Sequence, residues 1–213
     1  MPPLTDFLAL LGIDLVLCAG CLRLLSGWQG AGRWAKWVVA FSFVVLWLPL
    51  GTAQLPMLAF IRGISSDLSV TLVALACLGL CQRLFGLAAP ARRETTALTR
   101  VLAVAAVVLY PSALGWGDWD AYRIGWASYS LWASLLVLCV FCWAQGLRLV
   151  PLLVGLSLLA WSAGLMESAN LWDYLIDPWL AIASLVQCLR SGVRALWTRF
   201  RRDGLQVRPA VSA

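Results

Sequence analysis

Long apolar stretches separated by short polar segments are the feature that most constrains this chain. Most of them approach the roughly 20 residues that a helix needs to cross a bilayer. They cover about residues 4–25, 35–55, 66–85, 101–114, 129–144, 149–165 and 171–189. Hydrophobic residues make up 62% of the chain and charged residues only 12%, so a soluble core would lack polar cover. The sequence therefore predicts an all-α, polytopic transmembrane helical bundle of about seven spans.

The distribution of charge predicts how this bundle is oriented. Lysine and arginine concentrate in cytoplasmic loops. With the amino terminus outside and the carboxyl terminus in the cytoplasm, every cationic residue except Arg62 and Arg123 falls on the inner side. Most acids fall on the outer side, namely Asp6, Asp67, Asp118, Asp120, Glu167, Asp173 and Asp177. A missed span would place cationic residues on both sides of the membrane. The observed separation therefore supports both the orientation and the number of spans.

Two regions follow from these patterns, a helical bundle over residues 1–189 and a basic tail over residues 190–213. In the tail, arginines alternate with apolar residues, which is typical of an amphipathic helix lying on a membrane surface. We expect this helix to continue the seventh span. The formal charge of +6 thus indicates contact with anionic lipids rather than with nucleic acid. The expected partners are the lipid bilayer and, as a second candidate, another membrane protein.

Local signals predict irregularities inside the spans. Pro49 and Gly51 should kink the outer half of the second span. The apolar piece over residues 55–64 is predicted to lie at the interface or to re-enter the bilayer. Ser66 is the expected N-cap of the third span, which would leave Asp67 in its first turn.

The residue types that are missing or scarce limit the chemistry. The chain has no histidine, the commonest metal ligand and general base near neutral pH. The pairs Cys18 with Cys21 and Cys139 with Cys142 have a redox-like spacing, but they lie in apolar runs where cysteine behaves as a small apolar residue. No phosphate-binding glycine loop and no nucleophile elbow is found. We therefore expect no metal site and no cofactor.

Four outer acids are the candidate catalytic residues. Asp118 and Asp120 lie in a tryptophan-rich segment over residues 111–128. Asp173 and Asp177 are four residues apart and would share one face of a helix. If they lie close together, such carboxylates could act as a general base or hold a divalent cation. The alternative is that Asp173 and Asp177 stabilise a helix amino terminus, where the helix dipole favours negative charge.

The two outer arginines, Arg62 and Arg123, are the candidate phosphate- or headgroup-binding residues. A guanidinium group matches phosphate and carboxylate in a bidentate fork. The alternative is an ion pair with acids that are near in sequence. These acids are Asp67 for Arg62, and Asp118 with Asp120 for Arg123.

Asp14 is an acid inside the first predicted span, close to its middle. A charge at that depth costs roughly 2.5–3.5 kcal/mol, so it needs a partner or a function. We expect a hydrogen bond to a polar group such as Gln54, Thr71 or Ser134. This contact would serve either helix packing or a function inside the membrane.

Three functions are consistent with these patterns. The first is a non-catalytic accessory or structural subunit of an envelope lipid or glycan system. The second is a membrane enzyme that handles a lipid-linked or headgroup phosphate at the exoplasmic face. The third is a small transporter that uses Asp14. The loops resemble those of small proteins of the bacterial inner (cell) membrane, which is the predicted location.

Overall fold

The computed structural model describes residues 4–26, 32–50, 54–126 and 128–206, and most of these residues are helical. Nine α-helices lie in this described part: α1 (Leu4–Ser26), α2 (Gly32–Val45), α3 (Met57–Ser65), α4 (Val70–Phe85), α5 (Arg92–Ala113), α6 (Tyr129–Ala144), α7 (Leu149–Ser162), α8 (Leu171–Leu175) and α9 (Pro178–Gln206). A 3-10 helix covers Tyr122–Gly125. Two short antiparallel strands, β1 (Pro49–Leu50) and β2 (Leu55–Pro56), precede α3. The predicted all-α class is confirmed.

Two of the described helices are long and apolar enough to cross a membrane, judged by length and composition. They are α1, with a mean hydropathy of 2.2, and α5, with 1.5. Shorter apolar helices cover Trp34–Val45, Val70–Phe85, Tyr129–Ala144 and Leu149–Ser162. Two helices with the properties of membrane spans are therefore present, and the total of about seven stays a prediction.

The second predicted span is wrong in its outer half. Helix α2 ends at Val45, a turn covers residues 46–48, and the chain then enters β1. Pro49 explains the end of the helix, because proline has no backbone N–H and disfavours helical geometry in the residue before it. The apolar piece predicted over residues 55–64 forms the separate helix α3. Gly51 lies outside the described residues.

The third predicted span begins later than expected. Helix α4 starts at Val70 and is capped by Ser69, whose side chain accepts a hydrogen bond from the N–H of Leu72. The predicted cap at Ser66 is therefore wrong, and Asp67 precedes the helix. This shift leaves Asp67 free to face α3 rather than to stabilise the first turn of α4.

The seventh predicted span is divided into two helices. The short α8 ends at Leu175, Ile176 is extended, and Pro178 starts α9. A proline favours this break, since the residue before it is pushed away from helical geometry. Helix α9 then continues without interruption past residue 190 to Gln206, so the described part of the basic tail continues the last helix, as expected.

Buried apolar side chains form two clusters. The larger is built on α5 to α9 and the smaller on α1, α2 and α4. Helix α1 packs against α2, α3 and α4, α5 packs against α7 and α9, and a contact between α4 and α7 joins the two groups. A Cβ on Gly12 of α1 would lie 3.0 Å from Val73 of α4, so the glycine allows these helices to approach closely.

The bundle has two differently charged ends. The acidic end carries two arginines, Arg62 and Arg123, and seven acids, Asp6, Asp67, Asp118, Asp120, Glu167, Asp173 and Asp177. The basic end carries Arg23, Lys36, Arg83, Arg92, Arg93, Glu94 and Arg148. Contacts tie the elements together within each end, such as Arg62 with Asp6 at the acidic end and Lys36 with the Leu84 carbonyl at the basic end.

Candidate functional site

The acidic end contains a cavity of about 1090 Å³. One wall is formed by α1, the β1–β2 hairpin and α3, and the other by α5, the 3-10 helix, α8 and the start of α9. Five carboxylates and one guanidinium are the charged groups along its lining, namely Asp6, Asp67, Glu167, Asp173, Asp177 and Arg62. Of the site residues predicted from sequence, Arg62, Asp173 and Asp177 line the cavity.

Arg62 on α3 binds acids from three parts of the chain. Its Nη1 lies 2.7 Å from Asp6 Oδ1 on α1, and its Nε lies 2.6 Å from Asp67 Oδ1 before α4. Its Nη2 lies 3.2 Å from Glu167 Oε1 in the connection between α7 and α8. The hydrogen bond to Asp67, with a smaller contribution from Asp6, raises the pKa of Arg62 above its ordinary value. The arginine therefore remains cationic and holds α3 against α1, α4 and this connection.

Asp177 is a buried cap that connects two helices. Its Oδ1 accepts a hydrogen bond of 2.8 Å from the N–H of Leu180, which caps the amino terminus of α9. Its Oδ2 accepts from the N–H and the hydroxyl of Ser69, at 2.9 and 2.6 Å. Because Ser69 itself caps α4, the two residues lock the starts of α4 and α9 together.

Asp173, in the first turn of α8, binds the 3-10 helix. The hydroxyl of Tyr122 donates to its carboxylate at 2.9 Å, and the hydroxyl of Ser168 donates to it as well. Burial, and then this hydrogen bond, raise the pKa of Tyr122 to about 12. The phenol therefore remains a protonated donor at neutral pH, and Asp173 ties two loops to one wall of the cavity.

The remaining predicted site residues lie on the exposed loop before and in the 3-10 helix and do not line the cavity. Asp120 accepts hydrogen bonds from the N–H groups of Tyr122 and Arg123, so it caps the 3-10 helix. Asp118 and the Arg123 side chain are exposed, and no ion pair joins them to each other or to Asp120 in the described structure. The predicted group of acids and arginines is thus divided between the cavity and the loop.

Asn170 is a fully buried residue that the sequence analysis missed. Its Oδ1 accepts from the N–H of Trp172 at 2.9 Å and caps α8, while its Nδ2 donates to the Tyr122 carbonyl at 3.1 Å. The indole N–H of Trp172 donates to the Ala121 carbonyl. A Cβ on Gly125 would lie only 1.8 Å from Asn170 Oδ1, so only glycine fits there. An asparagine directly before an apolar helix was the available sequence signal.

Asp14 is fully buried, and its predicted partners are wrong. Trp47 donates its indole N–H to Asp14 Oδ2 at 2.7 Å, and the Cys18 thiol lies 3.5 Å from Oδ1. Thr71 instead pairs with a serine of α7, and Ser134 bonds within its own helix. The contact with Trp47 was not predicted, because it depends on the turn that follows α2.

The described residues offer no ready metal site. Within them, no group of three or more His, Cys, Asp or Glu side chains is arranged to hold a metal ion. All seven cysteines are free thiols.

Comparisons with known proteins give no relative: no protein-family model, no curated protein and no solved structure matches this chain.

Proposed function

We propose that the chain is a multi-pass protein of the bacterial inner membrane, with its amino terminus outside and its carboxyl terminus in the cytoplasm. The length and hydropathy of α1 and α5 support the membrane location. The separation of acids from cations at opposite ends supports the orientation, since lysine and arginine concentrate on the cytoplasmic side. In this arrangement the cavity opens at the exoplasmic face.

The shorter apolar helices are compatible with the same arrangement. Helices of 14 and 16 residues, such as α7 and α6, extend over roughly 21–24 Å. A bilayer core of about 30 Å accommodates such helices by local thinning or through flanking residues, at a modest cost. We therefore propose that these helices, together with α1, α5 and α9, form the predicted bundle of about seven spans.

We further propose that the protein is a non-catalytic accessory or structural subunit of an envelope lipid or glycan system. The observation that carries this proposal is the use of the cavity's polar groups as links between helix ends. Asp177 caps α9 and binds the cap of α4, Asp173 binds Tyr122, and Arg62 binds three acids. Groups committed to internal contacts of this kind support a scaffold more directly than a reaction.

The geometry gives less support to an enzyme that acts on a lipid-linked or headgroup phosphate. That mechanism would bring Asp118, Asp120 and Arg123 next to Asp173 and Asp177, yet the first three do not line the cavity. Arg62, the other candidate phosphate clamp, already faces carboxylates. The transporter hypothesis is also less well supported, because the described partners of Asp14 are one indole and one thiol.

The membrane arrangement is tested by reporter fusions that are active on only one side of the membrane. We expect fusions within residues 114–120 and 166–169 to report the exoplasmic side. Fusions within residues 86–91 and at residue 145 should report the cytoplasm. If both groups report the same side, or if the protein is released from membranes by alkaline carbonate, the proposal is wrong.

The accessory role is tested by expressing variants in a deletion strain and measuring how far each one corrects the envelope defect. This function is divided by the amount of protein inserted in the membrane. We expect Asp177→Asn to lower the amount of protein without lowering the function per molecule. Asp120→Asn is the control on the exposed loop and should change neither quantity. Normal amounts of Asp177→Asn protein with abolished function would instead favour the enzyme hypothesis.

A further inference from the structure

The cavity at the acidic end is large enough to hold a ligand. Its volume of about 1090 Å³ lies just above the range usual for small-molecule sites. We propose that it binds the primary ammonium headgroup of a membrane lipid. This inference rests on the proposed membrane location, and it assigns a ligand to the accessory subunit.

The charge of the lining favours a cation. Five carboxyl groups and a single guanidinium line the cavity, so the lining has an excess of formal negative charge. Arg62 is already paired with Asp6, Asp67 and Glu167, so its guanidinium has little capacity left to bind an anionic headgroup. Within the described structure, Asp6 Oδ2 and Glu167 Oε2 accept no hydrogen bond. These two oxygens are available to accept N–H bonds from an ammonium group, which charge assistance strengthens.

Aromatic side chains provide a second, independent feature that suits an ammonium ion. Phe7, Trp47, Tyr110 and Tyr122 line the same cavity. A cation near an aromatic face is attracted by the ring quadrupole, and tryptophan is the strongest of these partners. Trp47 is held in place by its hydrogen bond to Asp14 and by the ring of Phe7, 5.4 Å away between centroids. The buried acid of α1 thereby acts as a positioning residue for the lining.

The position of the cavity identifies a lipid as the source of the ammonium group. Its two walls include α1 and α5, the two described helices with the properties of membrane spans. These helices belong to different packing groups, and the cavity lies between them at the acidic end. Apolar residues such as Leu10, Leu55 and Leu109 complete the lining and suit the glycerol and upper acyl region.

The test is native mass spectrometry of the full-length protein in detergent after removal of bound lipid. Phosphatidylethanolamine, phosphatidylcholine and phosphatidylglycerol with identical acyl chains are added at equal concentrations. We expect phosphatidylethanolamine to bind roughly tenfold more tightly than phosphatidylglycerol, as expected for one or two charge-assisted hydrogen bonds. Phosphatidylcholine should bind more weakly than phosphatidylethanolamine, because its trimethylammonium group cannot donate a hydrogen bond.

Matched variants locate the binding. Glu167→Gln and Asp6→Asn, alone and together, should remove most of the preference for phosphatidylethanolamine. Asp118→Asn is the control, because it removes the same charge from the acidic end outside the cavity. Equal binding of the three lipids, or an equal loss in the control, overturns the proposal. Binding of glycerophosphoethanolamine as tight as that of the lipid would overturn the lipid source and indicate a soluble amine.

The outcome can be separated from that of the proposed function. The reporter fusions establish membrane insertion whether or not any lipid is preferred. If insertion is confirmed and lipid selectivity is absent, only the ligand assignment fails. If insertion fails, the lipid assignment fails with it.

Discussion

The two ends of the bundle use charged residues in different ways. At the acidic end, acids accept hydrogen bonds from partners far away in sequence, as Asp177 does from Ser69 and Asp173 from Tyr122. At the basic end, Glu94 is the acid that bridges two helices, and Arg92 and Arg93 are exposed. The acidic end is therefore a fixed assembly of loops, while the basic end is mainly a charged surface.

This difference has a physical origin in the loops themselves. The connections at the acidic end include the β1–β2 hairpin, the 3-10 helix and the α8 segment, and their backbone groups need partners. The connections between α4 and α5 and between α6 and α7 at the basic end are short, at 86–91 and 145–148. Long irregular loops must be fastened by side chains, and the buried acids and Asn170 do this. Substitutions at the acidic end should therefore destabilise the protein more than substitutions at the basic end.

The largest effect is expected for Gly125→Ala at the acidic end. The added Cβ would lie 1.8 Å from Asn170 Oδ1 and 2.6 Å from Trp172 Cδ1, so the 3-10 helix and α8 would have to separate. We expect a loss of about 3 kcal/mol or more in the free energy of unfolding, at or above the usual cost of overpacking. Thermal unfolding in detergent measures it.

Gly155→Ala is the matched control for that substitution. Its Cβ would meet no atom within 4 Å, and it lies inside α7. Alanine favours a helix over glycine by about 1 kcal/mol, so this variant should be as stable as the parent or slightly more stable. Equal destabilisation by the two variants would contradict the close approach of Gly125 and Asn170.

A smaller but measurable loss of stability is expected for Asp177→Ala. The change removes the cap of α9 and leaves the buried N–H of Ser69 without its acceptor. Loss of a cap and of a buried acceptor together should cost roughly 2–4 kcal/mol. Chemical denaturation of the purified protein measures this, with Asp120→Ala as the exposed control. If the control loses as much stability, the distinction between buried and exposed acids at this end is wrong.

The helical class could be predicted because apolar composition and spacing determine it locally. The breaks in the helices were harder to predict. Pro49 and Pro178 mark their positions in the sequence, but a proline can either kink a helix or end it. Which of these happens at Pro49 depends on the hairpin that follows, and at Pro178 on Ser69, which donates hydrogen bonds to Asp177. These are contacts between segments that sequence spacing does not bring together.

The candidate site shows the same limit. The pairing of Arg62 with Asp67 was one of two interpretations open from sequence, because the residues are five apart and no long-range contact is needed. The additional bonds of Arg62 to Asp6 and Glu167 depend on how α1 and the connection between α7 and α8 pack. From sequence, Asp118 and Asp120 were candidates equal to Asp173 and Asp177. In the structure the first pair is exposed on a loop and the second pair lines the cavity, and this difference in burial depends on how the chain folds.

The smallest loss of stability is expected at the basic end, for Glu94→Ala. The carboxylate accepts hydrogen bonds from the N–H groups of Arg148 and Leu149, at 2.9 and 2.7 Å, and so caps α7 from the first turn of α5. Its removal should cost about 1 kcal/mol, since water can replace a partner at this accessible helix end. Glu94→Gln retains one acceptor oxygen and should lose about half as much in the same denaturation experiment. A loss at Glu94 as large as that at Asp177 would mean that both ends are fastened alike, and the contrast between a fixed end and a charged surface would fail.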